Sequence, residues 1–273
     1  MKIRAIILSA LILCGISAVI MYSRAAQPQQ KSSVITQAIN DKNTPMVIKN
    51  LILKMKEQME VNDDQFPELI KEVENYTNSL ADSASVAVLH SMLAEMYQNY
   101  YQRNQWTINQ RTQLSGYIPE DIRVWTSNLF TDKIKEEIDL SLRPTALLQN
   151  TPVSKFKDIL EIGKDSQTLR PTLYEFLAFR ALDIQPTVQI YKDLIAFQNK
   201  EPNMKSVLLT ELDYLRFLYG DKRDKESFEA YMNALDELYR NLASQNYATE
   251  ILIAKLDLVS GSMFRYVSTQ WDS

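Results

Sequence analysis

Between Ser85 and Asn104 the apolar residues Leu89, Met92, Leu93, Met96, Tyr97 and Tyr100 recur at i, i+3, i+4, i+7, i+8 and i+11. On a 3.6-residue period these positions form one unbroken stripe, which predicts a long helix buried along its length. Asp82, Ser83 and Ser85 supply capping side chains at its start, and neither Gly nor Pro interrupts it through Gln105. No other segment is as long and as regular, so the rest of the chain is expected to pack around it.

The same period recurs on both sides. Ile48, Leu51, Ile52, Met55 and Met59 predict a helix that opens on Pro45, and Phe66, Leu69, Ile70, Val73, Tyr76 or Thr77, and Leu80 predict the next. After Asn104 the run WTINQRTQLSGYIPED, with Gly116 and Pro119, reads as a loop or frayed helix. Pro119-Glu120-Asp121 then starts a helix through Trp125, Leu129 and Phe130, continued by Ile134, Ile138 and Leu142. Pro144, Pro152, Gly163 and Pro171 punctuate the following stretch, leaving short helices at 146–149 and 155–162. From Thr172 helical spacing returns at Leu173, Phe176, Leu177 and Ala181, then over 188–199 and 207–219. Asp224 is the expected cap of a helix carrying Phe228, Tyr231, Met232, Leu235, Leu238, Tyr239 and Leu242. Tyr247, Ile251, Ala254 and Leu258 form its partner, and the pair has the look of a tetratricopeptide-type hairpin without the full repeat consensus.

The fold class expected is all-α: an array of antiparallel helices with helical-repeat, tetratricopeptide-like character in the C-terminal half. Composition agrees, since 45% of the 273 residues are hydrophobic while only 5 are Gly and 9 Pro, too few for the turns a sheet protein needs. The organisation expected is a leader over 1–25, a polar segment over 26–44, an N-terminal helical half over 45–142, an irregular connection over 143–171 and a C-terminal repeat-like half over 172–273.

The leader differs from all that follows. Lys2 and Arg4 precede an uncharged run from Ala5 to Tyr22, and Ser23-Arg24-Ala25 places small residues where a signal peptidase reads. Export with cleavage after Ala25 is the expectation, to the bacterial periplasm or cell envelope. The 18-residue run also suits an uncleaved anchor, and Cys14 offers a lipidation position, although Leu13 stands where a lipoprotein signal wants a small residue. Removing residues 1–25 takes away Lys2, Arg4 and Arg24, so 27 basic and 34 acidic side chains remain, a net charge of −7 and no cysteine. Disulfides, zinc-thiolate sites and a cysteine nucleophile then drop out.

Charge and motifs narrow the function further. A net charge of −4 for the whole chain gives no reason to expect nucleic acid. His90 is the only histidine, with no second His or thiolate at ligand spacing, so a packed or half-exposed helical histidine is expected, and no metal or catalytic residue is assigned. The pairs Glu136-Glu137 and Asp236-Glu237 are adjacent in sequence and expected to face solvent. The single glycines make no phosphate loop, and Asn75-Tyr76-Thr77 matches a glycosylation acceptor pattern that arises often by chance. Tyr97, Tyr100, Tyr101, Trp106 and Trp125 predict an aromatic layer between helices, with both tryptophans largely buried. No cofactor and no enzymatic activity are expected.

HSMLAEMYQNYYQRNQWTINQRT (90–112), EDIRVWTSNLFTDKI (120–134) and RPTLYEFLAFRAL (170–182) resemble, in this order and separation, the N-terminal helical region of the large alpha-macroglobulin family proteins exported by Bacteroidetes. The resemblance extends over roughly residues 40 to 260. In such proteins the helical region precedes a string of β-rich macroglobulin domains and, in many members, a thioester domain with a Cys-x-Glu-Gln motif. The 273 residues contain neither. The resemblance therefore implies an interaction segment of a protease-trapping envelope protein, whose partners are following domains or a separate protein. The alternative is a stand-alone periplasmic repeat adaptor binding a protein or peptide on a helical face. Contact with a membrane is expected only through the leader or anchor. The last helices carry apolar residues on two stripes, Leu252, Leu256 and Val259 beside Ile251, Ala254 and Leu258, so a second covered face is expected there.

Overall fold

A computed structural model of the protein describes residues 44–61, 65–112, 118–160, 165–200, 203–220, 224–242 and 248–271. Ala25, Cys14 and the polar segment up to residue 43 lie outside these residues. Among the described residues the fold is all-α, with no strand, as the periodicity predicts. The chain divides into two compact units, one through Gln185 and one from Pro186.

The first unit contains α1 (Thr44–Val61), α2 (Phe66–Ser79), α3 (Ser83–Ile108), a 3-10 turn (Ile122–Val124), α4 (Ser127–Ser141), α5 (Thr145–Asn150), a second 3-10 turn (Val153–Phe156), α6 (Ser166–Leu169) and α7 (Leu173–Ile184). The stripe on α3 is buried as expected: Leu89, Leu93, Met96 and Tyr97 are sealed from solvent, and Met92 and Tyr100 nearly so. Asp82 is its N-cap and accepts from the Ser85 amide and hydroxyl. The helix runs one turn beyond the expected end because Ile108, with no exposure, still packs inward. α2, α4 and α7 surround it, and α4 covers the greatest length.

Helix starts reflect local chemistry more than periodicity. Asp121 does not open the α4 helix. It caps the short 3-10 turn by accepting from the Arg123 amide at 2.9 Å, and α4 begins only after Thr126. Residues 143–171, expected to separate two halves, belong to the first unit. Their ends are tied by backbone bonds, Val153 N–H to Pro171 C=O at 2.9 Å and Leu173 N–H to Thr151 C=O at 2.8 Å, and α5 packs on α7. Thr172 and Glu175 then close a reciprocal cap at the start of α7: the Glu175 amide donates to the Thr172 hydroxyl, and the Thr172 amide donates to the Glu175 carboxylate. The division between units falls instead where α7 ends, at Gln185-Pro186-Thr187.

Among its described residues the second unit is a series of four helices, α8 (Val188–Gln198), α9 (Met204–Tyr219), α10 (Lys225–Leu242) and α11 (Ala248–Trp271). Each packs on its neighbour in sequence. Asp224 caps α10 as expected, accepting from the Ser227 amide at 2.7 Å. Leu208, Leu212, Tyr231, Leu235, Leu242, Ile251 and Ala254 form the core shared by α9, α10 and α11. Tyr191 on α8 is buried against Tyr214 and Phe217 of α9 and donates its hydroxyl to Asp213 at 2.9 Å.

Candidate interaction surfaces

His90 is satisfied, as the sequence suggests, but by a partner that was expected to face solvent. Its Nδ1 lies 2.7 Å from Glu137 Oε2, which requires Nδ1 to carry the proton when Glu137 is ionised. Glu137 is only 2% exposed, and its other oxygen takes the Lys133 ammonium at 2.9 Å. Adjacency to Glu136 gave the wrong expectation because consecutive helical positions point about 100° apart: Glu136 stays outside while Glu137 turns toward α3. Burial opposes the charge on Lys133, yet Glu137 and Glu136 together hold its ammonium above the ordinary value. On the α7 side of α3, Arg180 donates to the Ser91 hydroxyl at 2.8 Å and to Glu95 at 2.6 Å. These groups join helices.

The aromatic layer forms without one of its expected members. Tyr97 stacks on Trp125 with ring centres 5.6 Å apart, and Phe130 sits edge-on to Trp125 at 5.3 Å. The Trp125 indole donates to the Pro119 carbonyl at 2.7 Å, and Arg111 holds the Trp125 carbonyl at 2.8 Å. Tyr97 donates to Glu74, and burial first, then that carboxylate, pushes its phenol far above the ordinary value. Trp106, by contrast, is 80% exposed. On α3 it lies six residues after Tyr100, about 120° round from it, so the stripe that buries Tyr100 carries Trp106 outward. Only the local density of aromatic residues had placed it in the layer.

Asn75 and Thr77 also separate. Asn75 is exposed in the middle of α2, whereas Thr77 is buried and donates its hydroxyl to the Val73 carbonyl at 2.7 Å, so the hydroxyl an acceptor site needs is committed to the helix. Among the described residues no group of three His, Cys, Asp or Glu side chains is placed to hold a metal, and no helix is long and apolar enough to cross a membrane. A shallow groove on α4 is lined by Asp132, Lys135, Glu136, Asp139 and Arg143, charged groups along one outer face.

The apolar surface is concentrated elsewhere. On α11, Ile251 and Ala254 face the unit's core while Leu252 (49%), Ile253 (53%), Leu256 (66%) and Val259 remain exposed. The second stripe read from the sequence is therefore present on α11 and bare. On α9 Leu209 and Leu218, outside the core-facing stripe, are half-buried, so the barer second face is that of α11. No family model, curated protein or solved structure matches the chain.

Proposed function

We propose that this chain is a non-catalytic helical interaction segment of an exported, alpha-macroglobulin-like envelope protein of the protease-trapping kind. The observation that supports this is the bare outer face of α11. Four large apolar side chains in a little over two turns stand against water on a helix whose opposite face is core, and such a stripe is stable when another domain or protein covers it. The pairing of α10 with α11 around Tyr231, Leu235 and Ile251 suits a tetratricopeptide-like repeat, whose terminal helix offers a surface for the next element. The motifs at 90–112, 120–134 and 170–182 supply the family side of the reading.

A stand-alone periplasmic adaptor would use the same face for a separate protein or peptide. The native transcript distinguishes the two. A reading frame that continues past Ser273 into β-rich macroglobulin domains is the expected result, and a stop codon there would overturn the first reading in favour of the adaptor.

A further inference from the structure

We infer that Trp106 and the amide side chains around it bind a neutral polysaccharide, an assignment on the first unit that does not depend on the role given to α11. Trp106 is 80% exposed near the end of α3, and among the described residues of that helix no other large apolar side chain is exposed. Gln102, Arg103, Asn109 and Gln110, at i−4, i−3, i+3 and i+4, are exposed around it. Asn109 keeps helical backbone angles, so the register holds past the last residue of α3. The Tyr101 hydroxyl donates to Asn109 Oδ1 at 3.1 Å, which orients that amide and leaves Nδ2 as its donor.

Composition singles out the same surface. Seven of the thirteen residues from Gln98 to Gln110 are Asn or Gln, and no acid stands between Glu95 and Glu120, although the chain holds 34 acids in 273 residues. The outer face of α4, by contrast, is charged at Asp132, Lys135, Glu136 and Asp139. An amide donates and accepts without carrying charge, which matches hydroxyl groups, and the negative face of an exposed indole takes the C–H face of a pyranose ring. Arg103 adds planar donors beside the ring. Other occupants fit this surface less well. One Trp offers about 150 to 250 Å², whereas a stable protein interface covers about 800 Å² on each partner. A nucleobase would stack on the indole, but its phosphates would meet a chain of net charge −4.

The full chain, offered maltohexaose, cellohexaose, chitohexaose and mannohexaose in turn, tests this by saturation transfer from protein to sugar protons in solution NMR. At least one of these sugars should bind with Kd about 1 mM, the range open to one stacked ring and a few hydrogen bonds. Raising salt to about 0.5 M should leave that affinity unchanged, because the ligand is neutral. Trp106→Ala should weaken binding by about tenfold or more, while Trp106→Phe, which keeps a ring, should stay within about threefold of the native chain. Both variants change an exposed position and should unfold at the native midpoint. Asn109→Ala should weaken binding by about threefold through the lost amide. Absence of transfer to every one of these sugars at about 10 mM overturns the inference, as does equal binding by W106A. Transfer to a proline decamer and to none of the sugars would assign the ring to a peptide and overturn it too.

Discussion

The two units use the same material, amphipathic helices without disulfides, and finish differently. In the first, α3 is enclosed by α2, α4 and α7, and the polar groups at its helix contacts are paired, His90 and Lys133 with Glu137, Arg180 with Ser91 and Glu95, Tyr97 with Glu74, although Asn50 Nδ2 on α1 is buried without a hydrogen bond. In the second, each helix packs on its neighbours in sequence, and the last leaves Leu252, Ile253 and Leu256 in water. A helix enclosed by several others must satisfy every polar group it carries, whereas one in a series satisfies only the face its neighbours cover. The contrast teaches where a surface is left for another molecule: on the last described helix rather than in the enclosed core.

The largest effect that could break the contrast is in α3. Leu93→Ala should cost about 2 to 5 kcal/mol in denaturant unfolding, because its side chain is wholly buried. A loss under about 1 kcal/mol would deny α3 its central place. Glu137→Ala should cost about 1 to 3 kcal/mol, since it leaves His90 without its carboxylate and Lys133 with Glu136 alone. Thermal unfolding of the double variant H90A/E137A sharpens the point, with a cost smaller than the two single losses added together. Thr172→Ala should cost about 1 kcal/mol by removing one half of the reciprocal cap on α7. An unchanged midpoint would mean the start of α7 is held by packing alone.

The sequence carries the two units unequally. Stripes at 3.6-residue spacing locate α1, α2, α3, α4 and α7 to α11, because burial of one face is recorded directly in residue type. Asp82 and Asp224 were readable as caps for the same reason: a short oxygen-bearing side chain stands one step before a periodic run. The Thr172-x-x-Glu175 signature at the start of α7 is of the same kind, but it follows a proline-rich stretch that carries no periodic run of its own. What single positions do was less legible. Glu137 is drawn inward by partners 4 and 47 residues away, and Trp106 is carried outward by the helical angle, so neither follows from its neighbours in sequence. The bare face of α11 stands between these cases. Two apolar stripes on one helix say that two covers are wanted, and only the packing shows that the second is absent among the described residues.

That face carries the account, and the smallest change in stability tests it. Leu252 and Leu256 are exposed, so L252S/L256S should alter folding stability by no more than about 0.5 kcal/mol. The decisive measurement is binding of a hydrophobic dye to the full chain and to this variant, with sedimentation velocity at matched concentrations. The account predicts that L252S/L256S loses at least about half of the dye signal and shifts any self-associated species toward monomer. Identical dye binding and identical sedimentation in the two proteins would contradict it and leave α11 an ordinary solvated end helix.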